Sequence, residues 1–431
     1  MNAIDQARAE SLNPLDYLRR RGYVHDVSDE AGLRDALAAG PVTAYVGFDP
    51  SAASLHIGNL IGIMMLASLQ RFGHRPIALG GGGTALVGDP SGKTSARKLI
   101  TEEDIERNLA GVLPQFARYL DFDGGRFGGH PERVIPAALL LNNAAWLLPL
   151  RYIEFLRDVG RHFSVNEMLA AETYKVRLES TGLNFVEFNY RIVQAYDFLH
   201  LFRTEGCRLQ LGGSDQWGNI VAGVDLVRRV EGGKAFALVS PLITAGSGEK
   251  MGKSEGNAVW LDPTLTSPYD YYQYFVNTAD AELARYLRLY TFLPESHIED
   301  LTAVSGSALR DAKRVLAFEA TALTHGTEAA TAAAAAARSL FGADASATDD
   351  TSIPTTEITG SELATELTLA DVFVRSGLAK SKGEARRVAA QGGLYVNDER
   401  IERVDVPFAP ATETVILRSG KKHHHRIRIV P

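Results

Sequence analysis

The chain has 431 residues and a mass of 46.7 kDa, with 45% hydrophobic and 23% charged residues, which excludes collagen-like, mucin-like and wholly disordered classes. One cysteine, Cys207, excludes an internal disulfide framework and any multi-cysteine zinc or iron–sulfur site, and no run approaches the roughly 18 apolar residues of a membrane span. The net charge of −7 conceals a basic end: residues 365–431 carry twelve Lys and Arg against eight Asp and Glu, a pattern suited to a polyanion or to an ordinary solvated surface.

At roughly 100–200 residues per domain, the length implies two to four domains, in a reducing cytoplasmic setting with no membrane contact. Along the chain, Thr43–Phe48 reads as a short buried strand broken by Asp49-Pro50-Ser51, and a helix pattern follows over 57–72. Pro76–Leu79 is a second strand running into Gly80–Gly83. Strands at Val134–Leu140 and Arg208–Leu211 continue an alternation with helices that argues for a parallel sheet covered on both faces. From 263 to 340 helix formers dominate, ending in the alanine-rich run Ala329–Ala337. Residues 342–360 read as a linker. Short amphipathic helices at 367–376 and 381–391 and strands at Leu394–Val396 and Thr414–Leu417 complete a small basic module.

Three segments carry chemistry. His56-Ile57-Gly58-Asn59 lies where a strand end enters a helix, a place where outward-pointing N–H groups and the helix dipole attract anions, although a plain turn and cap would look the same. Gly80–Lys93 is not a Walker A loop, because the glycine that motif requires is Val87. A dinucleotide fingerprint through Gly80, Gly82 and Ala85 is a weak match. What survives is a glycine-rich segment followed by Lys93 and Arg97, which either hold a pyrophosphate or form a solvated helix face. Lys250-Met251-Gly252-Lys253-Ser254 places two of only eleven lysines on a loop.

The first and third of these segments, His56–Asn59 and Lys250–Ser254, together resemble the HIGH and KMSKS signatures of class I aminoacyl-tRNA synthetases. Further segments narrow the resemblance: Tyr45-Val-Gly-Phe-Asp49-Pro, Gly88-Asp89-Pro-Ser-Gly-Lys93, Tyr190-Arg-Ile-Val-Gln194-Ala-Tyr-Asp197-Phe, and Gln210-Leu-Gly-Gly-Ser-Asp215-Gln216-Trp217-Gly-Asn219. They look like those of the bacterial-type tyrosyl-tRNA synthetases, and Leu378–Arg387 and Gly393–Asn397 resemble the S4-type RNA-binding module that ends that family. The resemblance implies an α/β protein. Its expected parts are a Rossmann-like parallel-sheet catalytic domain over 1–245, the loop and an α-helical anticodon-binding domain over 246–341, a linker over 342–364, and a small α+β S4-like domain over 365–431.

It also implies the reaction and its residues. L-Tyrosine attacks the α-phosphorus of ATP, giving tyrosyl-adenylate and pyrophosphate, and tRNA(Tyr) then takes the tyrosine. Tyr45 and Asp197 are expected to bind the phenol, whose hydroxyl can both donate and accept. Asp89, Tyr190 and Gln194 are expected around the ammonium, with Gln210 in the same tyrosine site. Gly47, Asp49, His56, Gly58, Asn59, Asp215 and Gln216 are expected to line ATP or the adenylate. Ser51 and His56 fall on the γ-phosphate side, while Lys93, Arg97, Lys250 and Lys253 gather on the leaving pyrophosphate and the Lys250–Ser254 loop acts as a lid. Mg²⁺ is expected with ATP as substrate, with no resident metal, no tightly bound cofactor and a homodimeric assembly.

Three departures stand out. Asn59 replaces the last histidine of HIGH but can still hydrogen-bond adenosine. Gly252 replaces the first serine of KMSKS. Ala85 ends the family's Gly-Gly-Ala-Thr-Gly segment, and its methyl is expected to restrict that loop. A tryptophanyl-tRNA synthetase, a small-molecule adenylyltransferase and a non-catalytic RNA-binding protein are the rival readings. They are disfavoured by the Tyr45 and Asp197 pair, by the helical and basic C-terminal parts, and by the presence of His56 with the loop lysines. Tyr269, Tyr271, Tyr272, Tyr274 and Phe275 read as core packing, Cys207 as a buried filler, and His423–His425 as a basic RNA-facing strand without metal-ligand geometry.

Overall fold

A computed structural model describes residues 2–91, 101–125, 135–179, 182–243, 258–306, 308–341, 354–363, 367–397, 399–410, 412–420 and 423–430. Two units make up the chain, Met1–Asp262 with Ala279–Ala312, and Pro263–Thr278 with Lys313–Pro431. The first unit runs past the expected boundary at 245 because later segments return to it. Ile57 N–H donates to the Val259 carbonyl at 3.0 Å and Leu261 N–H to the Leu55 carbonyl at 2.8 Å. The buried Arg21 guanidinium binds the carbonyls of Leu287, Thr291 and Leu293, which fastens the helix Leu283–Tyr290 to the same body.

The first unit is built on six strands: β1 (Asp26–Val27), β2 (Thr43–Phe48), β3 (Arg75–Gly80), β4 (Leu139–Asn142), β5 (Cys207–Gly213) and β6 (Phe236–Ser240). Their order is β1-β6-β5-β2-β3-β4, all parallel except β1, which runs antiparallel to β6. Sequences such as Phe236-Ala-Leu-Val-Ser are buried at every position, as strands covered on both faces must be. The fourth strand starts later than expected: residues 135–138 are irregular and pairing begins at Leu139, in keeping with Pro136, which has no N–H for the ladder. The chain winds outward through β2, β3 and β4, then returns to the other side of β2 for β5 and β6. That reversal opens a crevice at the carboxyl ends of β2 and β5, where doubly wound sheets bind ligands.

Four helices frame the crevice. Helix α1 (Leu60–Phe72) starts three residues later than expected and is buried over nearly its whole length. It ends at Gly73, whose φ of 98° supplies the left-handed cap. Helix α2 (Ala144–Leu147) is a single turn after β4. Helix α3 (Phe185–Glu205) begins at Asn184, whose side chain accepts the Glu187 N–H, and α4 (Trp217–Glu231) follows β5. Phe198, Leu201, Leu226 and Val227, all nearly inaccessible, form the core between α3, α4 and the sheet. Cys207 sits there too, and burial raises its thiol pKa far above the usual range, which makes it a filler.

In the second unit, the helix Pro268–Val276 buries Tyr269, Tyr271, Tyr272 and Phe275, and Thr324 Oγ1 donates to Tyr271 Oη at 2.9 Å, so the aromatic cluster is core. The alanine run lies in the helix Thr327–Phe341. Five further strands, β7 (Thr355–Thr359), β8 (Leu394–Val396), β9 (Glu399–Ile401), β10 (Thr414–Ser419) and β11 (His423–Val430), form a sheet in the order β7-β11-β10-β8-β9. Helices Leu369–Arg375 and Lys382–Ala390 contribute Phe373 and Ala385 to its core.

Two expectations are corrected here. The segment read as linker contains β7, which pairs in parallel with β11 and buries Ile358. Its β-branched Thr-Thr-Glu-Ile-Thr run is strand chemistry that the flanking polar residues obscured. Within the histidine run, His424 and His425 are not outward basic residues: His424 is buried, and His425 bonds Thr356 Oγ1 at 2.8 Å, with burial pulling its pKa down to about 4. His425 is therefore neutral at pH 7.

Candidate active site

The crevice at the ends of β2 and β5 holds a cavity of about 820 Å³. Every described residue expected in the site lines it: Tyr45, Gly47, Asp49, Ser51, His56, Gly58, Asn59, Asp89, Tyr190, Gln194, Asp197, Gln210, Asp215 and Gln216. Lys93, Arg97, Lys250, Lys253 and Ser254, and the substituted Gly252, lie outside the described residues.

At the closed end, strand alternation turns Tyr45 inward, 1% exposed, with its ring edge-on to Phe198 at 5.4 Å. Its hydroxyl has no hydrogen-bond partner, and neither do the Gln194 and Gln210 Oε1 atoms. Buried polar atoms are normally paired, so three orphans around one cavity describe a polar ligand's outline. Across from Tyr45 stands Asp197, 2% exposed on α3. Its Oδ1 accepts from Trp146 Nε1 at 2.7 Å and its Oδ2 from Asn143 Nδ2 at 2.9 Å. Burial pushes the Asp197 pKa up to about 7 despite these two donors, with the Asp49 charge adding to the rise. Burial first, and Asp197 second, hold the Tyr45 phenol well above its ordinary value.

Tyr190, Gln194 and Asp197 project from one stretch of α3 into the cavity. Tyr190 Oη donates to Asp49 Oδ2 at 2.9 Å, and Thr84 Oγ1 donates to Asp49 Oδ1 at 2.7 Å. A Cβ at Gly81 would collide with Asp49 Oδ1, so only glycine lets the loop after β3 come this close. Asp89 accepts from Gln216 Nε2 at 2.7 Å and from the Ser91 N–H at 2.8 Å. The expected disturbance from Ala85 is not seen: it lies in the short helix Thr84–Val87 with its methyl packed beside Ile105 and Leu109.

At the open end, His56 Nδ1 accepts the Gly58 N–H at 3.1 Å, which assigns the ring proton to Nε2. Asn59 Oδ1 accepts the His56 N–H at 3.0 Å, so the substituted asparagine braces the histidine. Trp260 pairs its backbone with His56 and sets its ring edge-on at 6.0 Å.

The sequence reading missed Asn143, Trp146, Thr84 and Trp260, which hold Asp197, Asp49 and His56. The available signal was position: Asn142 ends β4 and Asn143 directly follows it, at the carboxyl edge where site residues collect.

The family of tRNA synthetases class I (W and Y) matches residues 37–342, and the tyrosine–tRNA ligase SYY-like C-terminal domain matches 347–427. The chain belongs to the class I tRNA synthetases of that W and Y family. Among curated relatives, a tyrosine–tRNA ligase of Desulfatibacillum aliphaticivorans is 49% identical over 96% of this chain and 98% of its own length. One from Desulfosudis oleivorans is 51% identical over 96% and 99%. A C-terminally truncated mitochondrial tyrosyl-tRNA synthetase of Aspergillus nidulans superposes with a TM-score of 0.70 at 32% identity, covering 78% of this chain and 97% of that one. These relatives place the chain in the tyrosine–tRNA ligase branch.

Proposed function

We propose that this chain joins L-tyrosine to tRNA(Tyr) through tyrosyl-adenylate, and that Tyr45 and Asp197 recognise the phenol. The observation that carries the assignment is the pairing of a partnerless buried Tyr45 hydroxyl with an Asp197 carboxylate fixed by two donors. The substrate hydroxyl donates to Asp197 and accepts from Tyr45, so phenylalanine would leave the buried Tyr45 hydroxyl unpaired and deprive the Asp197 carboxylate of its third donor. Asp89, Tyr190 and Gln194 surround the ammonium, with Gln210 beside them. Gly47, Asp49, Gly58, Asp215 and Gln216 line the nucleotide, and Asn59 steadies His56 toward the phosphates.

No protein nucleophile is needed. The tyrosine carboxylate attacks the α-phosphorus of ATP and pyrophosphate leaves. Ser51 and His56 act on the γ-phosphate side, Lys93, Arg97, Lys250 and Lys253 neutralise the departing charge, and the loop that Ser254 ends engages most strongly in the transition state. Mg²⁺ would arrive with ATP. Among the described residues no group of three or more His, Cys, Asp or Glu is placed to hold a metal. The ribose hydroxyl at the tRNA 3′ end then displaces AMP from the adenylate. We assign residues 246–341 to the loop and the α-helical anticodon-binding part, and residues 365–431, whose strands share a sheet with β7, to RNA binding.

A homodimer is part of the reading. Tyr152, Ile153, Val165 and Phe185 of the first unit are 57–72% exposed, large apolar side chains that a second copy would cover. Cytoplasmic residence accords with this role, and no helix among the described residues is long and apolar enough to cross a membrane.

ATP–pyrophosphate exchange with each of the twenty amino acids, without tRNA, tests the proposal. Exchange with tyrosine alone is expected. Exchange with none, or with tryptophan, would overturn it.

A further inference from the structure

The donor that holds Asp197 is itself held. His200 stands three residues beyond Asp197 on α3, so both project from the same side of that helix. The His200 ring stacks on the Trp146 indole with centroids 4.3 Å apart and planes only 14° from parallel. Trp146 belongs to the single-turn α2, which lacks a side-chain cap and has no fully buried residue. A helix of that length does not fix an indole by itself. Beyond its packing against the core around Tyr45 and Phe198, two directional contacts orient it: the Nε1 bond to Asp197 at 2.7 Å along its edge and the His200 ring against its face.

His200 is half-buried, with Tyr196 beside it at 6.3 Å between ring centroids, and Tyr196 in turn meets Phe155 edge-on at 5.6 Å. Burial, and then Arg203, keep the His200 pKa below its ordinary value, so the stacked ring is neutral at pH 7. It therefore acts on the indole through its surface and not through charge.

We propose that His200 is a positioning residue for substrate recognition, stacking on Trp146 so that Nε1–H stays aimed at Asp197 and the carboxylate stays aimed at the substrate phenol. This inference rests on the assignment of Asp197 to that phenol. It concerns tyrosine recognition only, since the stack is remote in role from the phosphate chemistry of His56.

The test is ATP–pyrophosphate exchange with full-length enzyme, comparing wild type, His200→Ala, His200→Leu and His200→Phe. His200→Ala removes the ring and should raise the KM for tyrosine about two- to tenfold, the range expected for one lost aromatic contact. The KM for ATP and the kcat should stay within about twofold, and the preference for tyrosine over phenylalanine should fall. His200→Leu keeps bulk without a ring and should match His200→Ala. It also gives the reading if the alanine variant does not fold. His200→Phe restores the stacked face and should return the tyrosine KM to near wild type.

Unchanged tyrosine KM in folded His200→Ala and His200→Leu would overturn the proposal, as would a loss that His200→Phe fails to restore. Asp197→Ala, measured alongside, separates the two claims. A large loss there with no effect at His200 removes the positioning role alone, whereas no effect at Asp197 removes the phenol assignment and this inference with it.

Discussion

Trp146 Nε1 donates to Asp197 Oδ1 at 2.7 Å, so the carboxylate at the closed end of the cavity is held by an indole from a one-turn helix after β4. With Asn143 on the other oxygen, each carboxylate oxygen accepts one bond from the protein, and Asp197 lines the cavity. Replacing Trp146 by Phe keeps the ring and removes the donor. The tyrosine KM in exchange assays should rise about tenfold, the cost of one unmade bond to a buried charged group, with the KM for ATP little changed. Equal changes in both constants would instead indicate a general loosening.

The protonation of Asp197 gives a pH signature. Its folded pKa is about 7 against an ordinary value of 3.8, so the unfolded chain releases this proton well before the folded one does. The stability contributed by protonated Asp197 is fully present below about pH 4 and is lost as pH rises through about 7. Ligand-free enzyme should show this component in thermal midpoints, and the wild type minus Asp197→Asn difference should move in favour of the variant over that interval. Tyrosine binding runs the opposite way, because the phenol needs an ionised acceptor. The tyrosine KM should fall between about pH 6 and about pH 8 in wild type, and a flat profile would contradict the assignment.

Gly81 tests the loop after β3. A Cβ there would collide with Asp49 Oδ1 and stand 2.6 Å from Thr84 Oγ1, displacing the pair that Tyr190 also joins. Gly81→Ala should destabilise the protein by about 1–3 kcal/mol and lower exchange activity at least about tenfold. Calorimetry and exchange kinetics on one preparation report both effects. Wild-type activity would mean that Asp49 plays no part in lining the nucleotide.

The C-terminal module should be separable in function, provided the cut respects its sheet. A chain ending at Phe341 should keep tyrosine-dependent exchange and lose tRNA charging at least about tenfold, because the basic segment proposed to bind RNA is gone. A chain ending at Gly360 would strand β7 without β11 and leave Ile358 uncovered, and it should aggregate more readily. Intact charging by the shorter chain would show that the module is dispensable.

Much of this arrangement was legible in the sequence because strongly patterned segments leave little choice. Thr43–Phe48 and Leu394–Val396 are strands with the expected limits, and all fourteen described site residues line one cavity. The misses share a cause, since each depended on contacts distant along the chain. β7 reads as polar linker until β11 lies beside it, and residues 135–138 look like strand until pairing is seen to begin at Leu139. Asn143 and Trp146 carry no local motif, and their importance comes only from an aspartate 54 and 51 residues away.

The central claim is that Asp197, held by Asn143 and Trp146, binds the substrate phenol. Equilibrium binding of tyrosine and of phenylalanine to wild type and Asp197→Ala, with ATP binding as the control for fold, bears on it most directly. The variant is expected to lose tyrosine affinity at least about tenfold while ATP binding is retained, with tyrosine losing its advantage over phenylalanine. Unchanged tyrosine affinity in a variant that still binds ATP would contradict it.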